Sequence, residues 1–176
     1  MSIGTAVAGR DEPELADLVG MFVNTVVLRL NIRPGDSVAE LLDRAHRSRT
    51  GALEYSQVPF EMVVDEVSPS RSRAHSPLFQ VGFTFQRDSS AVLAQTGGEF
   101  EVLDIRIPSA KYDLSVTATE FAGDGSERVS LEFSYATDLF NRSTVESTAE
   151  ALIMLLDRMT SAPHRGDRPI RHRARG

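Results

Sequence analysis

Residues 22–32 read FVNTVVLRLNI, and this run constrains the fold more than any other part of the chain. It is crowded with β-branched and apolar side chains, which suit a pleated surface and lose rotamer freedom in a helix. Bounded by the turn signal Pro34-Gly35, it predicts a largely buried strand over 22–32. Asn24 and Arg29 are its polar interruptions, and Thr25 follows Asn24 directly. A buried amide must find partners, so Asn24 is either a satisfied core amide or a group lining a cavity.

The rest of the chain supplies partners for such a strand. Residues 2–8 predict a short strand closed by Gly9-Arg10, and Pro13 opens a helical turn through Leu18. Ser37 and Glu40 have capping-box spacing. The helix after them places Val38, Leu41, Leu42, Ala45, Ala52 and Leu53 on one face. Pro59 suits the first turn of a second helix, burying Phe60, Val63, Val64 and Val67. Residues 68–77 have turn composition and lead to a strand at 78–86. A polar loop covers 87–98. Three more strands are expected near 99–107, 112–121 and 128–136, the last two joined through Gly123-Asp124-Gly125. Ser143 and Glu146 suggest another capping box, before a helix with Ala149, Leu152, Ile153, Leu156 and Met159 inward. This order predicts an α/β fold, one mixed sheet with flanking helices.

A chain of 176 residues fits one domain or one lobe of a larger one. Residues 1–162 form the expected folded unit, and 163–176 a basic tail or linker. Residues 164–176 hold five Arg against one Asp, so +4 of charge sits there, and subtracting it from the chain's −6 leaves −10 on the body. An acidic body argues against nucleic acid as partner, because phosphate contacts need a basic surface. The absence of cysteine excludes disulfides and thiolate metal sites. The longest apolar runs are too short to span a bilayer, and nothing at the N-terminus reads as a secretion signal. A cytoplasmic protein without membrane or metal is the expectation.

Catalytic machinery is hard to find. His46 falls on the polar side of its helix, His75 in a Ser/Arg-rich turn, and His164 and His172 in the tail. No two share metal-ligand spacing on one element. A GxSxG nucleophile elbow and a phosphate-cradling glycine loop are both absent from the sequence. Asn141-Arg142-Ser143 and Arg165-Gly166-Asp167 match a glycosylation sequon and an adhesion tripeptide, without the context either needs. No catalytic residue is assigned.

Several segments, taken together, carry a resemblance. Residues 3–10 (IGTAVAGR), 18–29 (LVGMFVNTVVLR), 58–61 (VPFE), 71–80 (RSRAHSPLFQ) and 111–114 (KYDL) occur in this order. They resemble the second half of the condensation domains of nonribosomal peptide synthetases, with Ala6 replacing a proline and Tyr55-Ser56-Gln57 replacing His-Gln-Asp. The family's HHxxxDG signature is missing. In it the second histidine is followed four residues later by Asp, whereas here the residues are Thr50, Phe79, Arg168 and Gly176. The chain therefore resembles only the C-terminal lobe, one of two lobes similar to chloramphenicol acetyltransferase.

The resemblance implies a parent that joins two carrier-tethered acyl groups by amide bond formation. The phosphopantetheine arms of peptidyl carrier proteins are then its substrates, entering a tunnel between lobes; no directly bound cofactor is implied. This lobe, inactive alone, would supply one tunnel wall, with Phe22, Asn24 and Thr25 as tunnel-facing candidates. Arg10, Arg29 and Arg71 are expected to be structural, pairing with carboxylates such as Glu61 or with backbone carbonyls. Pro59, Phe60, Pro77, Leu78, Phe79 and Gln80 belong to motifs read as packing, and 87–98 is a candidate latch to the other lobe. The implied partners are an N-terminal lobe carrying HHxxxDG and carrier proteins. A lone lobe exposing its apolar partner face is also expected to self-associate. The alternatives are a non-catalytic carrier-protein docking module and a self-sufficient oligomeric acyltransferase.

Overall fold

A computed structural model describes residues 1–10, 12–67, 76–88, 109–121 and 128–161. Five strands form one sheet: β1 (Ser2–Val7), β2 (Asn24–Arg29), β3 (Val81–Arg87), β4 (Leu114–Phe121) and β5 (Arg128–Tyr135). Their order is β2-β1-β3-β4-β5. The pairs β1–β2 and β4–β5 are antiparallel, while β1–β3 and β3–β4 are parallel. Helices α1 (Val38–Glu54) and α2 (Phe60–Val67) lie against β2, and α3 (Arg142–Ser161) lies against β5. The mixed α/β sheet is the one expected. The strand expected at 99–107, the Gly123-Asp124-Gly125 turn and the tail fall outside the described residues.

The entry to α1 follows from its sequence. Ser37 accepts from the Glu40 amide, and the Glu40 carboxylate accepts from the Ser37 amide at 2.8 Å, completing the capping box. Just before it, Asp36 accepts from the Arg33 amide and takes both terminal nitrogens of Arg44 at 2.6 and 3.0 Å. These bonds, chiefly the one from Arg44, hold the Asp36 carboxyl down to about 2.

Several boundaries and faces differ from expectation. β2 spans only Asn24–Arg29 because its partner is short: pairing runs from Val7↔Asn24 to Ser2↔Arg29, and Phe22 lies beyond the end of β1. It also stands at one end of the sheet, and Val26 is its single buried residue. On α1, Leu42 is exposed while Arg44 and Ser48 are half-buried. The Arg44 bonds to Asp36, and that of Ser48 Oγ to the Arg29 carbonyl, turn this side of the helix inward. Val67 on α2 is exposed.

The second capping box does not form. Ser143 lies inside α3, and Glu146 instead accepts from Arg142 Nε at 2.7 Å, a charge-assisted bond one turn away. Val145 is buried and sets the phase of that helix, so Ala149, Leu152, Leu155 and Met159 follow it inward while Ile153 and Leu156 face out. The buried apolar core among the described residues is small: Val26, Phe79, Val116, Ala118 and Val145.

Candidate functional site

Asn24 starts β2 and reaches the junction between α1 and α2. Its Nδ2 donates to the carbonyls of Ser56 and Val58, both at 2.7 Å. Its Oδ1 accepts from the Thr25 amide at 2.8 Å and the Phe60 amide at 3.2 Å. Both amide hydrogens and both acceptor sites are thus occupied. The Phe60 bond satisfies one of the orphan donors at the start of α2, so a strand residue caps a helix from another part of the chain. Ser56, at the other end of this clamp, is 6% exposed.

From Phe60 the packing continues across the sheet. The Phe60 ring lies 5.8 Å from that of Phe79, and Phe79 lies 5.0 Å from Tyr112, both pairs tilted. Phe79 is 1% exposed. Its ring needs the absence of a side chain below: a Cβ on Gly4 would stand 2.1 Å from Phe79 Cε2. Gly82, opposite Gly4 in register, does the same for Tyr112, with a Cβ there 2.7 Å from Cδ2. Leu78 takes φ +68°, a left-handed conformation that costs a non-glycine residue about 1–2 kcal/mol. The tight bond from the Phe79 amide to the Pro77 carbonyl, 2.8 Å, accompanies it and delivers the ring inward. Gln80 steadies the same turn, Nε2 donating to the Ser76 carbonyl at 3.2 Å.

Beside this cluster, Arg10 staples the loop between β1 and β2. It donates to the carbonyls of Leu15 and Gly20, and its guanidinium sits 4.3 Å from the centre of the Phe22 ring. Gly9, at φ +63°, allows the Phe22 carbonyl to approach. Phe22 is half-buried under Arg10 and lies outside β2. The loop leaves Leu18, Val19, Met21 and Val23 exposed.

The remaining candidates are dispersed. Thr25 is half-buried in β2 and pairs with Ala6. Arg29 and Glu61 are exposed, and neither side chain forms an ion pair with a described residue. Pro59 gives its carbonyl to the amides of Met62 and Val63. Arg71, His75, His164, His172 and residues 89–98 of the latch candidate lie outside the described residues. His46 is exposed on α1. Among the described residues no three His, Cys, Asp or Glu side chains gather to hold a metal, and no helix is long and apolar enough to cross a membrane.

Sequence reasoning missed Gly4 and Gly82 as the floor beneath the rings, and Ser56 as the partner of Asn24. A glycine inside a strand pattern is a signal of close approach, and both glycines carried it. Ser56 carried no comparable mark. Gly4, Asn24, Phe60, Phe79 and Tyr112 each come from a different one of the five segments that bear the resemblance, and the fold brings them into one connected cluster. The model of the Condensation domain family matches residues 1–171. The chain belongs to that family. As a condensation-domain chain it is 38% identical to a dimodular nonribosomal peptide synthase of Bacillus subtilis (strain 168), over 92% of its own length and 7% of that protein's. It is 37% identical to phosphinothricin tripeptide synthetase PhsC of Streptomyces viridochromogenes, over 93% of its length and 15% of the other's. The chain thus spans a small part of these curated relatives. Its fold is shared with the X-domain from teicoplanin biosynthesis, with a TM-score of 0.81 at 22% identity. That match covers 97% of this chain and 38% of the X-domain chain.

Proposed function

We propose that this chain is the C-terminal lobe of a condensation domain and supplies one wall of a tunnel in which two carrier-tethered thioesters meet. The parent reaction is attack of the acceptor amine on the donor thioester carbonyl, with an amide formed and the donor thiol released. Holding both reactants in one channel supplies much of such a rate through proximity. The observation that carries the reading is one of extent: nearly the whole chain corresponds to well under half of a related fold, and no histidine in it has the HHxxxDG spacing. The histidine-bearing lobe is then the partner of this one across the tunnel, and peptidyl carrier proteins bring the substrates on their phosphopantetheine arms.

The cluster around Phe79 gives this lobe a structural task. It locks β1, β2, α2 and β3 together, so that the strand face offered to the channel is fixed before substrate arrives. A condensation assay with two loaded carrier proteins and mass detection of the dipeptidyl product tests the proposal. The chain alone is expected to give none, and addition of an HHxxxDG-bearing lobe is expected to produce it. Product from the chain alone would show that a catalytic group other than that histidine is present.

A further inference from the structure

The two outermost strands of the sheet are guarded unequally. β2 has α1 against it, and Ser48 Oγ on that helix donates to the Arg29 carbonyl at 3.2 Å. β5 has no such cover. Its sequence, RVSLEFSY, holds no proline, glycine or lysine, and it pairs with β4 without a bulge. Natural proteins blunt an edge with just those devices. The Ala136 amide donates to the Asp113 carbonyl at 3.0 Å, and bonding alternates along an antiparallel ladder. Arg128, Ser130, Glu132 and Ser134 therefore turn their backbone groups to β4, while Val129, Leu131, Phe133 and Tyr135 turn theirs outward. Those outward groups bond no described residue. α3 does not close the edge. Leu131, Phe133 and Tyr135 are half-buried and the residues between them exposed, which puts the helix over one face of the strand and leaves its flank open.

The exposed face carries a charge pattern that complements itself. Arg128 and Glu132 lie on it, with Ser130 midway. Glu132 forms no ion pair with a described residue. Arg128 lies 4.7 Å over the Phe121 ring, which takes one face of the guanidinium and leaves the N–H donors in its plane. A second β5, laid antiparallel about a two-fold axis at Ser130, sets Arg128 of each copy opposite Glu132 of the other. These fall in non-hydrogen-bonded pairs, where side chains stand closest. Val129 and Leu131 then exchange backbone bonds with Leu131 and Val129 of the second copy. An axis at Glu132 would set the two glutamates against each other, and one at Leu131 would set Arg128 opposite Ser134. Opposite charges favour the axis at Ser130, since like charges directly opposite are destabilising.

We propose that β5 is a self-complementary edge through which two copies of this chain pair antiparallel, joining their sheets into one. The inference does not depend on the tunnel-wall reading. A two-fold contact uses the same patch on both copies and closes at the dimer. The covered β2 edge stops the sheet from growing further at its other end.

The chain contains no cysteine, so a single introduced one reports the register. Ser130→Cys sets two thiols across the axis with Cα atoms about 4.5 Å apart, within the span of a disulfide. The full chain carrying it is expected to oxidise to a covalent dimer, whereas Ser134→Cys, exposed on the same strand, is expected to stay uncrosslinked. In sedimentation equilibrium, Glu132→Arg is expected to raise the dimer dissociation constant roughly tenfold, because two opposite-charge pairs become like-charge pairs, and adding Arg128→Glu is expected to restore it. Val129→Pro removes an outward amide without touching the ladder to β4, and is expected to raise the constant at least as much. Melting temperatures of the dilute charge variants, expected to match that of the unsubstituted chain, establish that the fold is kept. A chain that sediments as a monomer at every concentration, with Ser130→Cys uncrosslinked, overturns the proposal and gives the edge to a different strand. Equal crosslinking by Ser130→Cys and Ser134→Cys, or a dimer indifferent to the charge reversal, also overturns it, by assigning association to the exposed apolar residues.

Discussion

The two ends of the sheet are built by different means. At the β2 end, long-range hydrogen bonds from one amide, two glycines under aromatic rings and a left-handed leucine tie together segments that lie far apart in the chain. At the β5 end, a hairpin pairs Leu114–Phe121 with Arg128–Tyr135 in unbroken register, and α3 rests against it. The side-chain bonds that α3 makes to described residues are local: Arg142 to Glu146, Thr148 to the Thr144 carbonyl, Thr160 to the Leu156 and Asp157 carbonyls. The first end tolerates few residue types at its key positions, and the second asks mainly for an apolar stripe of the right phase. The segments that carry the resemblance lie mostly toward the first end.

Substitutions at the two ends measure how far this contrast goes. The largest effect is expected from Phe79→Ala, which empties the centre of the aromatic cluster and should cost about 3–5 kcal/mol in chemical denaturation. A loss below about 1 kcal/mol, the scale of a surface change, would place the core elsewhere. Gly4→Ala is expected to cost about 1–3 kcal/mol by overpacking against a ring that neighbours hold on both sides. If it is instead neutral, the ring has room to move and the floor is not rigid.

A third test lies between the ends, at the entry to α1. The folded pKa of Asp36, about 2, is below its ordinary value of 3.8, so its contribution is present above pH 4 and lost as pH falls toward 2. Asp36→Asn is expected to flatten that part of the acid limb of a melting-temperature profile. An identical acid limb in both proteins would assign the acid sensitivity to other carboxylates.

The smallest effect on stability is expected at the apolar positions that face outward. Ile153→Ser on α3 should change stability by less than about 0.5 kcal/mol. Phe85→Ser, at a ring 56% exposed on the sheet, should likewise leave the melting temperature nearly unchanged. It should also lower the sedimenting mass if that face drives self-association. An unaltered mass from an associating chain would direct the search to the edge of β5 and the loop carrying Val19 and Met21.

Local chemistry was readable and distant chemistry was not. Ser37 and Glu40 interact within one turn, and their capping box forms as their spacing implies. Pro34-Gly35 turns the chain, with Gly35 at φ +93°. The strand at 22–32 was placed well but drawn too long, because its ends depend on where β1 stops. The pattern Ser143–Glu146 misled because it omits Arg142, whose charge takes the glutamate. For Asn24 the alternatives of satisfied amide and cavity-lining group stayed open, since the deciding partners lie 32 to 36 positions away.

The parallel seam between β1 and β3 also dictates an order of assembly. The hairpins β1–β2 and β4–β5 each close over short stretches, whereas Ile3 meets Val81 only after 78 further residues. Closing so long a loop is slow relative to forming a hairpin. During synthesis the N-terminal hairpin is finished while the inner edge of β1 still lacks its neighbour. Until β3 leaves the ribosome, that edge is a template for any other strand, and a polysome making this chain carries many such edges close together.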